Sequence, residues 1–205
     1  VDGWDDERVV SFIDRFGAGL PTGPLRGRRI LEPGCLDGVM TCALCHAGAE
    51  VTAFDCRAAC AAKTYARCSA FGFSPRVLIH DARQIDRLVA RHAPLATRYD
   101  AVFHSGVLYH LPDPAAHLRA LREVADFVAL HSITVEEGSA RHEGFHGRWF
   151  SEPPGDHRAG AQAESFKPTR DELHRMIREA GWQCETVWER AGDDQCIGWY
   201  FLQGT

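Results

Sequence analysis

The chain has 205 residues, 45% of them hydrophobic, and a net charge of -5. That length suits one globular domain, taken here as residues 1–205, and no apolar run is long enough to cross a bilayer as a helix. The acidic balance weighs against a protein that tracks a phosphate backbone, which usually carries a basic stripe.

From the amino end, Val9, Val10, Phe12, Ile13 and Phe16 recur at helical spacing and predict a helix over 5–16. Pro21-Thr22-Gly23-Pro24 breaks it. Residues 1–24, with Trp4, Phe12 and Phe16, read either as a lid over a ligand or as a stripe packed on a sheet. A first strand is expected over 29–31, then a helix over 39–47 ended by Gly48. A strand over 50–54 and a helix over 58–71 closed by Gly72 repeat the unit. A third strand over 76–79 leads to a helix over 83–91, and a fourth strand over 99–103 follows. Pro114 stands in the first turn of a helix over 114–124, a favoured place for proline. A fifth strand is expected over 127–133.

Residues 136–167 are rich in Gly, Pro, His and charge and show no sustained period, so an irregular insert that covers a substrate is expected there. Thr169 and Glu172 have capping-box spacing at the head of a final helix. Two strands, 182–188 and 196–202, then flank Gly192-Asp193-Asp194 as a hairpin, with Cys184 and Cys196 expected as cross-strand neighbours. The alternation implies an α/β fold: a doubly wound, mostly parallel seven-stranded sheet, Rossmann-like, with a C-terminal antiparallel hairpin.

The eight cysteines are read as free thiols in apolar positions, which places the protein in a reducing, cytoplasmic compartment. Cys42, Cys45, Cys56 and Cys60 have zinc-like spacings, but two of them fall within one predicted helix, and no metal is assigned. The chain begins at Val1, which leaves open whether it is part of a longer protein, and its oligomeric state is not legible.

Ligands of doubly wound sheets bind beyond the carboxyl ends of the strands. There the chain places Glu32-x-Gly34-x-x-x-Gly38, then Asp55, Asp81 and His104-Ser105-Gly106. The glycine spacing does not match G-x-G-x-x-G, and an acid precedes the turn, which disfavours a pyrophosphate. A ligand with a cationic amino-acid end and no phosphate fits better. Asp55 stands where an acid accepts hydrogen bonds from ribose hydroxyls, and Asp81 where one faces an adenine.

With these motifs in register, the chain resembles a class I S-adenosylmethionine-dependent methyltransferase over nearly its whole length. Leu36 departs from the pattern, since many members carry a glycine there. The resemblance implies S-adenosylmethionine as cofactor, held by Glu32, Gly34, Cys35, Gly38, Asp55, Cys56, Asp81, Ala82, His104 and Ser105. Ser105-Gly106-Val107-Leu108-Tyr109-His110-Leu111 and Ser165-Phe166-Lys167-Pro168-Thr169 are similar to segments of the tRNA wobble-uridine carboxymethyl-transferring group, in which the corresponding tyrosine helps hold the cofactor. An oxygen acceptor ordinarily needs a base, and histidine is the usual one near neutral pH. His110 and His104 are the candidates, with Tyr109 orienting the acceptor or cofactor. His142 and His146 lie in the insert, where Arg141, Arg148, Trp149 and Phe150 read either as a grip on an anionic or aromatic acceptor or as a packed loop. The leading expectation is methyl transfer to an oxygen or nitrogen of a small molecule. Modification of a tRNA wobble uridine and a non-catalytic cofactor-binding module are the alternatives.

Overall fold

The computed structural model of the chain describes residues 7–91, 98–156 and 158–205. Trp4 therefore lies outside the described residues. In chain order the elements are α1 (Glu7–Gly19), β1 (Arg29–Pro33), α2 (Val39–His46), β2 (Glu50–Asp55), α3 (Ala58–Ala70), β3 (Arg76–Ile79), α4 (Ile85–Arg91) and β4 (Ala101–Ser105). There follow α5 (Pro114–Leu121), β5 (Phe127–Val135), β6 (Ala140–His142), β7 (Phe145–Ser151), β8 (Glu164–Pro168), α6 (Arg170–Glu179), β9 (Trp182–Ala191) and β10 (Gln195–Gly204).

One sheet has seven strands in the order β3-β2-β1-β4-β5-β10-β9. The first five run parallel, and β10 and β9 add an antiparallel edge. The expected architecture is therefore the one formed. Its central strands are covered on both faces, so they read as unbroken apolar runs. Neighbouring residues split between the faces: Leu31, Phe54 and Val102 join Leu88, Leu118 and Trp182 on one side. Ile30, Ala53 and Phe103 join Phe16, Leu44 and Trp199 on the other. The order reverses between β1 and β4, and a crevice opens at their carboxyl ends.

The apolar stripe of α1 packs against the sheet. Phe12 lies 4.6 Å from Trp199 and Phe16 lies 5.3 Å from Phe103, centroid to centroid.

Three local expectations are corrected. Residues 136–167 are not irregular: β6, β7 and β8 form an antiparallel three-stranded sheet. Its strands are short and half exposed, with only Phe145, Gly147, Ser165, Phe166 and Pro168 turned fully inward, so no period accumulates in the sequence. Thr169 is the N-cap of α6, but its side chain makes no capping bond. Glu172 instead accepts from the His146 amide and the Arg175 guanidinium, so the capping box is not formed. In the hairpin, Cys196 pairs with Ala191 and Cys184 with Leu202, because the turn lies at residues 192–194, close to Cys196 and far from Cys184.

Candidate active site

The turn after β1 is built around β2. The amides of Gly34 and Cys35 both donate to Phe54 O, at 2.8 and 3.0 Å. Leu36 N–H donates to Asp55 Oδ2 at 3.1 Å, and Gly38 N–H to Cys35 O at 2.8 Å. These amides are already engaged, so the turn offers no cradle of free N–H groups to a phosphate. Gly34 has φ +68°, and a Cβ there would stand 2.4 Å from Val107 Cγ2. At Gly38, φ +83°, a Cβ would meet the Thr64 backbone at 2.8 Å. Asp55 is buried, and its other oxygen accepts from Arg57 N–H at 2.9 Å.

A cleft of about 300 Å³ lies over this turn, within the size range of small-ligand sites, roughly 300–1,000 Å³. Gly34, Asp55, Cys56, Asp81, Ala82 and Ser105 line it, as do Tyr109 and His110. Burial alone would raise the Asp81 carboxyl, but hydrogen bonds from the Arg83 side chain and amide outweigh it and hold the group below its usual range. A second hollow, about 560 Å³, is bounded by Arg29, Glu50, Thr52, Arg76 and Tyr99 at the opposite ends of the strands. Doubly wound sheets bind at the carboxyl ends, so the smaller cleft is the site.

Four expected residues do not line it. Glu32 is buried beneath, where Thr41 Oγ1 donates to Oε2 at 2.6 Å, and burial pushes its carboxyl up to about 8. Cys35 is buried against the Thr64 hydroxyl, 3.3 Å away, and burial pushes its thiol up. Gly38 supports the turn from the Thr64 side. His104 turns into the core, fully buried, with Nε2 2.8 Å from His117 Nε2. Burial and the neighbouring His117 hold His104 well below the usual imidazole range, and burial brings His117 down to about 4. His104 is thus a core histidine with no access to the cleft, which leaves His110 as the candidate base.

His110 Nδ1 lies 3.0 Å from both Oε1 and Oε2 of Glu152, just beyond β7. Glu152 is 6% exposed and also accepts from Gly160 N–H. Burial raises its carboxyl, but the donors around it, the Gly160 amide and His110 among them, bring it below the usual range. Sequence reasoning missed this residue, and also Arg57, which donates to Gly160 O at 2.9 Å and Asp156 O at 3.3 Å and so ties α3 to the segment after β7. Residues 158–161 of that segment form one wall of the cleft. Cys42 faces Cys68, Sγ to Sγ 3.3 Å, all eight cysteines are free, and no group of three or more His, Cys, Asp or Glu could hold a metal among the described residues. No helix there is long and apolar enough to cross a membrane.

A profile of the family described as Methyltransferase domain matches residues 2–187, and the chain belongs to that family. This is the class the motifs resembled, the class I S-adenosylmethionine-dependent methyltransferases. Over 99 residues the chain is 33% identical to a ubiquinone biosynthesis O-methyltransferase of Bordetella avium, covering 48% of this chain and 38% of that protein. Over 133 residues it is 32% identical to a tRNA U34 carboxymethyltransferase of Pseudomonas aeruginosa, covering 58% of this chain and 33% of that one. The chain thus matches less than half the length of these curated relatives. Among solved structures, the N-terminal domain of EvdMO1 with SAH bound superposes with a TM-score of 0.84 at 22% identity, covering 96% of this chain and 81% of that one. Magnesium protoporphyrin IX methyltransferase from Synechocystis PCC 6803 with bound SAM gives 0.61 at 18% identity, over 95% and 79%. These two likenesses are of fold.

Proposed function

We propose that this chain is an S-adenosylmethionine-dependent methyltransferase that modifies an oxygen or nitrogen of a small molecule. The observation that carries the reading is the pairing of His110 with buried Glu152 at the cleft that Asp55 and Asp81 line. The residues present fit the cofactor. Asp55 and Asp81 line the cleft and the turn amides are engaged, which suits an adenosine that carries no phosphate. When bound, S-adenosylmethionine supplies a methyl group on a sulfonium. Asp55 would hold the ribose, and Asp81 with Ala82 the adenine.

The chain's own part is positioning and proton removal. A carboxylate on Nδ1 selects the tautomer with hydrogen there, so Nε2 presents its lone pair to the acceptor. Glu152 then steadies the imidazolium that forms. Residues 158–161 and the β6–β8 sheet act as the acceptor's lid.

The likeness to the tRNA enzyme makes a nucleic-acid acceptor the second reading. The arginines weigh against it, since Arg67, Arg83, Arg98, Arg148, Arg170 and Arg175 are each paired with an acid. The test is turnover across a panel of phenols and amines, read as cofactor consumption. Replacing His110 by Ala should cut turnover by about 10²–10⁴, with cofactor affinity little changed. Near-normal turnover in that variant would remove the base from the account.

A further inference from the structure

At and around the Tyr109 ring, which lies 4.4 Å from that of His110, stand three polar groups with no hydrogen-bond partner among the described residues. Lys167 on β8, one of two lysines in the chain, is half-buried. Its Nζ lies 4.0 Å from the Phe150 ring centroid and 5.6 Å from that of Tyr109. It forms no ion pair among the described residues. Glu152 acts on it electrostatically, but its oxygens are taken by His110 Nδ1 and the Gly160 amide. His131, midway along β5 and opposite Ser105, has a buried Nδ1 with no hydrogen-bond partner; its ring meets Tyr109 edge-on at 6.4 Å and lies 4.9 Å from that of Trp199. The Tyr109 hydroxyl makes no hydrogen bond among the described residues, although the ring lines the cleft.

Burying a cation and an imidazole without partners is unfavourable unless a ligand completes them. The aromatic faces of Phe150 and Tyr109 compensate the ammonium only in part. The sequence offered Arg141 and Arg148 as anion-gripping residues. Arg148 instead binds Asp194 through two contacts, 2.8 and 3.1 Å, and Arg141 is exposed on β6. Lys167 is the cation that reaches the tyrosine of the cleft.

We propose that Lys167, His131 and Tyr109 form an anion subsite, so that the methyl acceptor is a small hydroxylated acid with its carboxylate at Lys167 and its hydroxyl at His110. This rests on the methyltransferase reading above. The hydroxyl proton goes to His110 Nε2 and the oxygen attacks the methyl carbon. The carbon–sulfur bond breaks with its electron pair staying on sulfur, leaving a methyl ether and S-adenosylhomocysteine. Tyr109 and Phe150 supply flat walls that suit an aromatic acid.

The test is calorimetry on the whole chain saturated with S-adenosylhomocysteine, titrated with 3,4-dihydroxybenzoate and separately with its methyl ester. The acid should bind about tenfold tighter than the ester, since only the acid can meet the ammonium. Lys167→Met should erase that preference while S-adenosylhomocysteine still binds, and Lys167→Arg should restore part of it. Equal affinities for acid and ester in the parent protein, no binding of either, or a preference that survives in Lys167→Met would each overturn the subsite. Failure of the parent protein to bind S-adenosylhomocysteine would instead overturn the methyltransferase reading. Should Lys167→Met not take up S-adenosylhomocysteine, the acid-to-ester ratio of the parent protein and of Lys167→Arg decides.

Discussion

Leu36 adopts φ +50° in the turn that bounds the cleft, a conformation that costs an L-residue about 1–2 kcal/mol. The strain explains why a glycine is the commoner choice there and shows that the turn keeps its shape without one. Asp55 supports it by accepting the Leu36 amide. Glu32, one layer deeper, has a consequence for stability. Burial raises its carboxyl from 4.5 to about 8, so between those values the folded state holds a proton that the unfolded state has lost. Its stabilising contribution is complete below pH 4.5 and is lost as pH rises through about 8. We expect the unfolding free energy of the ligand-free protein, measured by urea titration across that window, to fall with pH by up to about 1.4 kcal/mol per unit from this group. Glu32→Gln, which keeps a partner for Thr41, should remove that slope. Parallel pH curves for the two proteins would show that Glu32 is ionised in the fold.

Among elements, the decisive contact is between α3 and the segment joining β7 to β8. Arg57, the N-cap of α3, reaches the carbonyls of Asp156 and Gly160 and holds that segment against the cleft. Arg57→Ala should raise amide hydrogen exchange across 158–161 and weaken cofactor binding several-fold, while exchange in β1 and β4 stays unchanged. Unaltered exchange in 158–161 would mean that Glu152 and its bond to the Gly160 amide suffice. The elements differ in how far the sequence revealed them. The Gly192-Asp193-Asp194 turn announced the hairpin, yet a turn at that position sets Cys196 opposite Ala191 and Cys184 opposite Leu202, not opposite each other. The β6–β8 sheet was hidden because its few inward residues, Phe145 and Phe166 among them, are separated by exposed charge and glycine.

At the scale of the whole molecule, the sheet order places the ends of β1, β2, β3 and β4 around one cleft. Residues fixed by local motifs arrived where expected: Gly34, Asp55, Asp81 and Ser105 all line it. What the sequence concealed is what depends on distant partners. Glu152 meets His110 across 42 positions and Arg57 meets Gly160 across 103, and no local spacing encodes either contact. His104 looked accessible because it ends a strand at the cleft, but alternation turns its ring inward onto His117. The central claim is that this acid-lined cleft takes S-adenosylmethionine. Calorimetry of S-adenosylmethionine binding to the parent chain and to folded Asp55→Ala tests it most directly. The account predicts binding at one site in the parent and an affinity lower by about tenfold or more in the variant, from lost hydrogen bonds to a charged acceptor. No binding by the parent chain, or equal affinity in the two proteins, would contradict it.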